Sequence, residues 1–383
     1  LRALSAPSGD IIDRALVLWL PGPGSYTGED CAELHIHGGR AVFQAVSSAL
    51  LRLGARPAEP GEFTRRAFIN GRMGLLEAEA VADLVDAETE AQRRQALRQM
   101  DGAQGGLIAA WADRVRRLLA WQEALIDFPD EDLPPEVGST LTTELSALRG
   151  EIEIGIADSA RGIRLREGLV VAVTGAPNVG KSSLVNCLAG REVAIVSPHP
   201  GTTRDALEVT IDLGGVPVTL IDTAGLRDTD DPVEAEGVRR ARARAASADV
   251  VMEVRDASDP SAATVPGQSG RLLVFNKVDV TPVQDRLGVS ALTGVGIDAL
   301  RAYLFQQAAM LSNIGGDPVF TRARHAAALR DAASALAAAS ACALPELRGE
   351  ELRVALAALG RVAGSVDVEM VLDLVFSQFC IGK

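Results

Sequence analysis

Gly175-Ala176-Pro177-Asn178-Val179-Gly180-Lys181-Ser182 decides the fold of this chain. It follows a short, continuous apolar run, Leu169 to Val173, of the kind that forms a parallel strand buried on both faces. It precedes a helical pattern over Ser182 to Leu188. Strand, G-x-x-x-x-G-K-S and helix in that order are the context a phosphate-binding loop requires. Glycine lets backbone N–H groups wrap phosphates at a helix N-terminus, with Val179, Gly180 and Ser183 completing the cradle. Lys181 supplies a point charge to the outer phosphates, and the Ser182 hydroxyl is a ligand for Mg2+. The same reading predicts an α/β sheet downstream. Ala206 to Ile211 and Val216 to Ile221 flank Gly214-Gly215 as a hairpin, and Ala248 to Val254 and Arg271 to Phe275 are further strands.

Each strand end carries a polar motif. Asp222-Thr223-Ala224-Gly225 follows the strand ending at Ile221, where a carboxylate stands behind the Mg2+ shell. Asn276-Lys277-Val278-Asp279 resembles the guanine-reading N-K-x-D of small GTPases, in which the Asp accepts from the guanine ring N–H and exocyclic amine. Ser290-Ala291-Leu292 resembles the loop whose backbone N–H meets the guanine oxygen. Gly201-Thr202-Thr203-Arg204-Asp205 occupies the place of the switch segment, with Thr203 as the residue that closes on Mg2+. Leu226 stands where Ras-type enzymes carry their water-orienting Gln, so the water needs another positioner. Glu234 is a candidate, and a solvated helix N-terminus is the other reading of the acidic stretch around it. Asn178 stands beside the phosphates, where its side-chain oxygen can hold a monovalent cation in place of an arginine finger.

At 383 residues, the chain is long enough for two or three domains with separate cores. Its composition, 47% hydrophobic and 23% charged, is that of a globular protein, and no apolar run reaches the ~20 residues of a membrane span. Cys31, Cys187, Cys342 and Cys380 are unpaired in spacing, which predicts a reducing, cytoplasmic setting. A net charge of −13 argues against wholesale coating of nucleic acid. Of 38 basic residues only Lys181, Lys277 and Lys383 are Lys, which marks those positions for chemistry needing an ammonium.

The domain boundaries expected from patterning are 1–72, a mixed α+β piece beginning at Leu1 and expected to be N-terminally incomplete, then 73–167, a first set of helices. An α/β domain follows over 168–312 and a second set of helices over 313–383. Apolar positions at helical spacing include Leu107, Trp111, Val115, Leu118 and Leu125, then Leu141, Leu145, Leu148, Ile152, Ile156 and Ile163. The proline-rich break at Phe128 to Pro135 predicts a fresh N-cap at Ser139 and Thr140. Helices on both sides of one α/β unit predict an inserted domain.

With Gly201 to Asp205, Asp222 to Leu226, Ser25-Tyr26-Thr27-Gly28-Glu29-Asp30, His37-Gly38-Gly39, Pro60 to Phe68 and the terminal Cys380-Ile381-Gly382-Lys383 in view, the chain resembles the MnmE (TrmE) family of bacterial tRNA-modification GTPases. The resemblance spans nearly the whole chain. It implies an N-terminal tetrahydrofolate-binding domain that dimerises, a discontinuous helical domain and an inserted Ras-like P-loop GTPase domain. It further implies work with the FAD-containing MnmG on carbon 5 of the tRNA wobble uridine, Mg2+ and K+ as ions, pairing of GTPase domains, and no membrane. By position it gives Asn178, Ser197, His199 and Thr202 to potassium, with Pro198, Pro200 and Gly201 in the same loop. Glu234 falls at the family's water-positioning glutamate, and Glu33, Arg72 and Lys383 fall at folate positions. Where the family commonly has Lys, this chain has Arg72, a cation of different geometry.

Other readings remain beside these. Cys380 is either a nucleophile towards uridine or a buried helical cysteine. Cys31, His35 and His37 are either zinc ligands or structural residues of a strand. Arg161 to Arg166, Arg239 to Arg244 and Arg322 to Arg324 read as solvated helix faces or as contacts to tRNA phosphates. The alternative function is a ribosome-assembly or signalling-type GTPase switch without folate chemistry.

Overall fold

The computed structural model describes residues 1–127, 136–193, 208–223, 239, 243, 245–259, 271–284, 286–312 and 319–365. The chain divides into two compact units, each assembled from separated segments. One holds residues 1–82, 99–141 and 338–383, the other 83–98 and 142–337.

The first unit opens with strands β1 (Arg2–Ser5), β2 (Ile11–Leu20) and β3 (Cys31–His35), antiparallel in that order, followed by helices α1 (Arg40–Arg52) and α2 (Glu62–Ile69). This is the α+β piece the patterning predicts. In chain order the helices α3 (Leu75–Val85), α4 (Glu90–Met100), α5 (Ala103–Asp127) and α6 (Glu136–Glu167) come next, α4 and α6 falling mostly in the second unit. Ser139 does not cap α6, which already runs from Glu136, so the expected N-cap is corrected. Two prolines just before an acidic residue suit a helix start at that earlier point. Further along the chain lie α9 (Ala323–Ala341), mostly in the second unit, and α10 (Pro345–Ala363), in the first. α5 and α10 pack side by side, burying Ile108, Trp111, Val115 and Leu118 against Leu352, Ala355, Leu359 and Val362. Full burial contributes roughly 1.5–3 kcal/mol for each large apolar side chain among them.

A cluster of charges ties the loop before α2 to its first turn. Arg56 donates both terminal nitrogens to Glu62 at 2.8 and 2.7 Å, Arg66 donates to Glu62 and to Glu29, and the Glu59 N–H donates to Glu62. The Arg56 fork, then the Glu59 amide and Arg66, lower the Glu62 carboxyl from 4.5 to about 2. Arg56, Glu62, Arg66 and Glu29 line a cavity of about 430 Å³ with Thr27 and Cys31.

The second unit is built on a five-stranded sheet in the order β5-β6-β4-β7-β8: β4 (Leu169–Thr174), β5 (Glu208–Leu213), β6 (Val216–Asp222), β7 (Val250–Asp256) and β8 (Arg271–Asn276). β4 pairs in parallel with β6 and β7, β7 pairs in parallel with β8, and β5 is the antiparallel arm of the Gly214-Gly215 hairpin. Helices α7 (Lys181–Val193) and α8 (Ile297–Ser312) complete the core with Leu184, Leu188, Leu300 and Leu304 against Val171, Val173, Leu220, Val254 and Val274.

Helical segments belong to this second unit as well. The Thr89 hydroxyl donates to the Gly215 carbonyl at 2.7 Å, and Gln92 donates to the Arg166 carbonyl at 3.0 Å. Asp83 Oδ1 accepts from Arg166 Nε at 2.8 Å and from Arg322 Nη2 at 2.6 Å. Arg166 and Arg322 therefore satisfy an internal carboxylate, which corrects their reading as solvated faces or phosphate contacts.

Two predictions follow from these charges. Asp83→Ala takes the shared acceptor from two guanidinium groups, one of them only 8% exposed, and is expected to cost about 3 kcal/mol in urea unfolding; a loss below ~1 kcal/mol would contradict this. For Glu62 the folded value is depressed, so its contribution is complete above the unfolded value of 4.5 and disappears as pH falls towards about 2. The stability gap between wild type and Glu62→Gln should therefore close over that window, and a gap that stays constant on acidification counts against it.

Candidate nucleotide site

The site forms at the carboxyl ends of β4, β6 and β8, where open α/β sheets bind ligands. Gly175 leaves β4 at φ +141, and a Cβ there would lie 2.2 Å from the Val254 carbonyl oxygen. Asn178 is exposed in the loop and left-handed at φ +65, one of two non-glycine residues with positive φ among those described. Gly180, at φ +91, has its α-carbon so close to Asn276 that a Cβ would stand 2.3 Å from Nδ2. The loop then enters α7, whose first-turn N–H groups form the positive helix end.

Lys181 is buried, and its ammonium donates to the carbonyls of Gly175 at 3.0 Å and Ala176 at 2.7 Å. The Ser182 hydroxyl donates to Asp222 Oδ2 at 2.5 Å, which brings a hydroxyl and a carboxylate oxygen together beside the loop. Hard oxygen donors of this kind suit Mg2+. Thr223 is fixed by its N–H and hydroxyl, both donating to the Val173 carbonyl.

Asn276 joins the two ends of the site. Its Nδ2 donates to the Val179 carbonyl at 2.9 Å, and its Oδ1 accepts from the Ala291 N–H at 3.0 Å. The side chain is 2% exposed, so each bond replaces water that has no access. Ser290 is fully buried, with its N–H donating to the Val295 carbonyl and its Oγ accepting from Thr293 N–H, while Leu292 is exposed at 87%. Lys277 has φ +67 and donates its ammonium to Asp256 Oδ2 at 2.7 Å. The Val278 N–H donates to the Val289 carbonyl, and Asp279 is exposed at the turn. Residues of four sequence motifs thus converge at the carboxyl end of the sheet, together with Asp256, which the sequence reading missed. Its signal was an acidic residue closing β7, in parallel register with Asn276.

The proposed switch and ion residues Ser197, Pro198, His199, Pro200, Gly201, Thr202 and Thr203 lie outside the described residues, as do Ala224, Gly225, Glu234, Cys380 and Lys383. Of the folate candidates, Glu33 lies on β3 and accepts from His35, and Arg72 follows α2 with its aliphatic stem beside Gly28. Cys31, His35 and His37 are not gathered around a metal. His35 pairs with Glu33, His37 with Asp13 and Cys31 with Thr27, and no metal-binding cluster of three such residues exists among the described residues. The zinc reading is corrected accordingly.

Known proteins are similar to the chain over nearly its whole length. Residues 75–380 match the description "MnmE helical domain", and residues 1–72 match "GTP-binding protein TrmE N-terminus". The tRNA modification GTPase MnmE of Gluconacetobacter diazotrophicus is 58% identical, covering 100% of this chain and 88% of the relative. The chain belongs to the MnmE family. Two further MnmE proteins, from Granulibacter bethesdensis and Rhodospirillum rubrum, are 55% and 54% identical over 100% and 98% of this chain, and 90% and 85% of their own lengths. As a member of MnmE, a family of tRNA modification GTPases, the chain is a GTP hydrolase.

The close approach at Gly180 gives a direct test. Gly180→Ala is expected to weaken GDP binding by ~10-fold or more in equilibrium titration, since the added methyl collides with Asn276. Gly102→Ala, at φ +83 but with open space around the added methyl, should keep wild-type affinity. Equal affinity in both variants would sink the role given to the Gly180–Asn276 contact.

Proposed function

We propose that this MnmE-family chain is a potassium-activated GTPase that acts with an FAD-containing partner of the MnmG type on carbon 5 of the tRNA wobble uridine. It would install an aminomethyl or carboxymethylaminomethyl group whose bridging carbon comes from a tetrahydrofolate derivative. The observation that carries the potassium reading is Asn178, exposed and left-handed in the phosphate loop that also holds Lys181. An Asn tolerates that conformation, and it offers an amide oxygen to a cation.

In this reading Lys181 leaves its loop carbonyls for the outer phosphates of GTP. Ser182 and Thr203 would hold Mg2+ with Asp222 behind them, and the ion supplies neutralisation of phosphate charge. Asn178, Ser197, His199 and Thr202 would hold K+, which supplies the positive charge that an arginine finger brings elsewhere. Glu234 orients the attacking water as its carboxylate accepts a proton-bearing hydrogen bond from it. Asp279 selects guanine, and a backbone N–H of the Ser290 to Leu292 loop meets the guanine oxygen, the Ala291 N–H being the one that donates to Asn276 Oδ1. Glu33, Arg72 and Lys383 would hold the folate, and Cys380 is a candidate nucleophile towards uridine.

The domain plan proposed is a folate-binding N-terminal domain over 1–72, helical segments over 73–167 and 313–383, and a GTPase domain over 168–312. Pairing through the N-terminal domains makes a homodimer, and GTP brings two GTPase domains together. The setting proposed is cytoplasmic, shared with tRNA; among the described residues, no helix is long and apolar enough to cross a membrane.

Steady-state GTP turnover in KCl against NaCl at equal ionic strength tests this. We expect potassium to stimulate turnover by an order of magnitude or more in the wild type, with the effect lost in Asn178→Ala. Glu234→Ala should bind GTP but turn it over slowly. Equal rates in both salts would remove the potassium site.

A further inference from the structure

Asp256 and Asn276 end neighbouring parallel strands in direct register. Both oxygens of the Asp256 carboxylate are engaged: Oδ1 accepts from the Ser258 N–H at 2.9 Å and Oδ2 from the Lys277 ammonium at 2.7 Å. A further bond, from the Ala257 N–H to the Asn276 carbonyl at 2.8 Å, ties the two strand ends together at the same level. The ammonium of Lys277, followed by the Ser258 amide, holds the Asp256 carboxyl below the ordinary carboxylate range, so the carboxylate is ionised at neutral pH. Lys277 is half-buried and sits at φ +67, a conformation that L side chains adopt only where their surroundings impose it. Its carbonyl accepts from the N–H groups of Val280 and Thr281, which closes a turn around Asp279.

We propose that Asp256 is a positioning residue for guanine recognition, holding the Lys277 ammonium at the end of β7 and thereby fixing the turn that presents Asp279 to the base. With its charge engaged, Lys277 offers only its methylene stem to a planar ligand. The two lysines of the site are thus separated in role: the Lys181 ammonium serves phosphates and the Lys277 ammonium serves the protein. A four-carbon chain with an unanchored end has many rotamers to lose on binding. Anchoring it to a strand-borne carboxylate removes that loss before nucleotide arrives.

The inference rests on reading Asn276 to Asp279 as the guanine site, and one set of measurements tests the two separately. Dissociation of a fluorescent N-methylanthraniloyl GDP is followed from the full chain for wild type, Asp256→Asn, Asp256→Glu, Lys277→Met, the Asp256→Asn/Lys277→Met double variant and Asp279→Asn. Asp256→Asn is expected to release GDP ~10-fold faster or more, with a matching rise in KM for GTP and a smaller change in kcat. Asp256→Glu should recover most of the loss, and Lys277→Met should add little once Asp256 is Asn. Wild-type release from Asp256→Asn, or independent effects in the double variant, would overturn the role of Asp256. If Asp256→Asn does not fold, Lys277→Met decides alone, and unchanged release overturns the proposal. Asp279→Asn should move preference from guanine towards xanthine nucleotides; unaltered preference overturns the site reading itself, whatever Asp256 does.

Discussion

The buried carboxamide of Asn276 spans the gap between the Val179 carbonyl and the Ala291 N–H, and the nucleotide site is arranged around that bridge. It holds the phosphate loop and the Ser290 loop at one separation, although they belong to different parts of the sheet. The contact also explains why position 180 has no side chain, since the amide nitrogen occupies the space a methyl would need. Gly175 meets a similar restriction from the Val254 carbonyl on the neighbouring strand β7. Both glycines are thus required by what presses on them from the sheet, as well as by what a phosphate would need from the loop.

Most of the sheet was legible from the chain alone because its strands are short, apolar and separated by turn residues. Leu169 to Val173, the Gly214-Gly215 hairpin and Arg271 to Phe275 each form the expected strand within a residue or two. The motifs were legible because each follows one of those strand ends. The start of α6 was less so, since Ser139 and Thr140 look like caps while the helix begins earlier, at Glu136. Local propensity cannot rank two adjacent starts when the prolines before the first already exclude helix. Charge pairing was the hardest to read. Nothing in the vicinity of Arg322 in the sequence hints that its partner is Asp83, on α3, or that Arg166 shares it. Asp256 was overlooked for a related reason: its partner Lys277 lies on the next strand, and only the register brings the two together.

The chain's preference for Arg takes on meaning at those pairs. Glu62 is held by the planar forks of Arg56 and Arg66, while Arg166 and Arg322 each donate to Asp83, a carboxylate that is little exposed. The two described lysines do something different. One folds over carbonyl oxygens of a tight loop, and the other meets a single carboxylate from a strained backbone, both tasks for a compact ammonium rather than a fork.

Arg166 sits just before the first strand of the sheet, and Arg322 lies just after its last helix, yet both donate to one oxygen of Asp83. The polypeptide therefore leaves for the sheet and comes back from it within the span of a single side chain's grasp. Such a seam is a clasp: the two stretches of chain that bound the sheet are held at one carboxylate oxygen, so a disturbance entering from either side is felt at the other through Asp83.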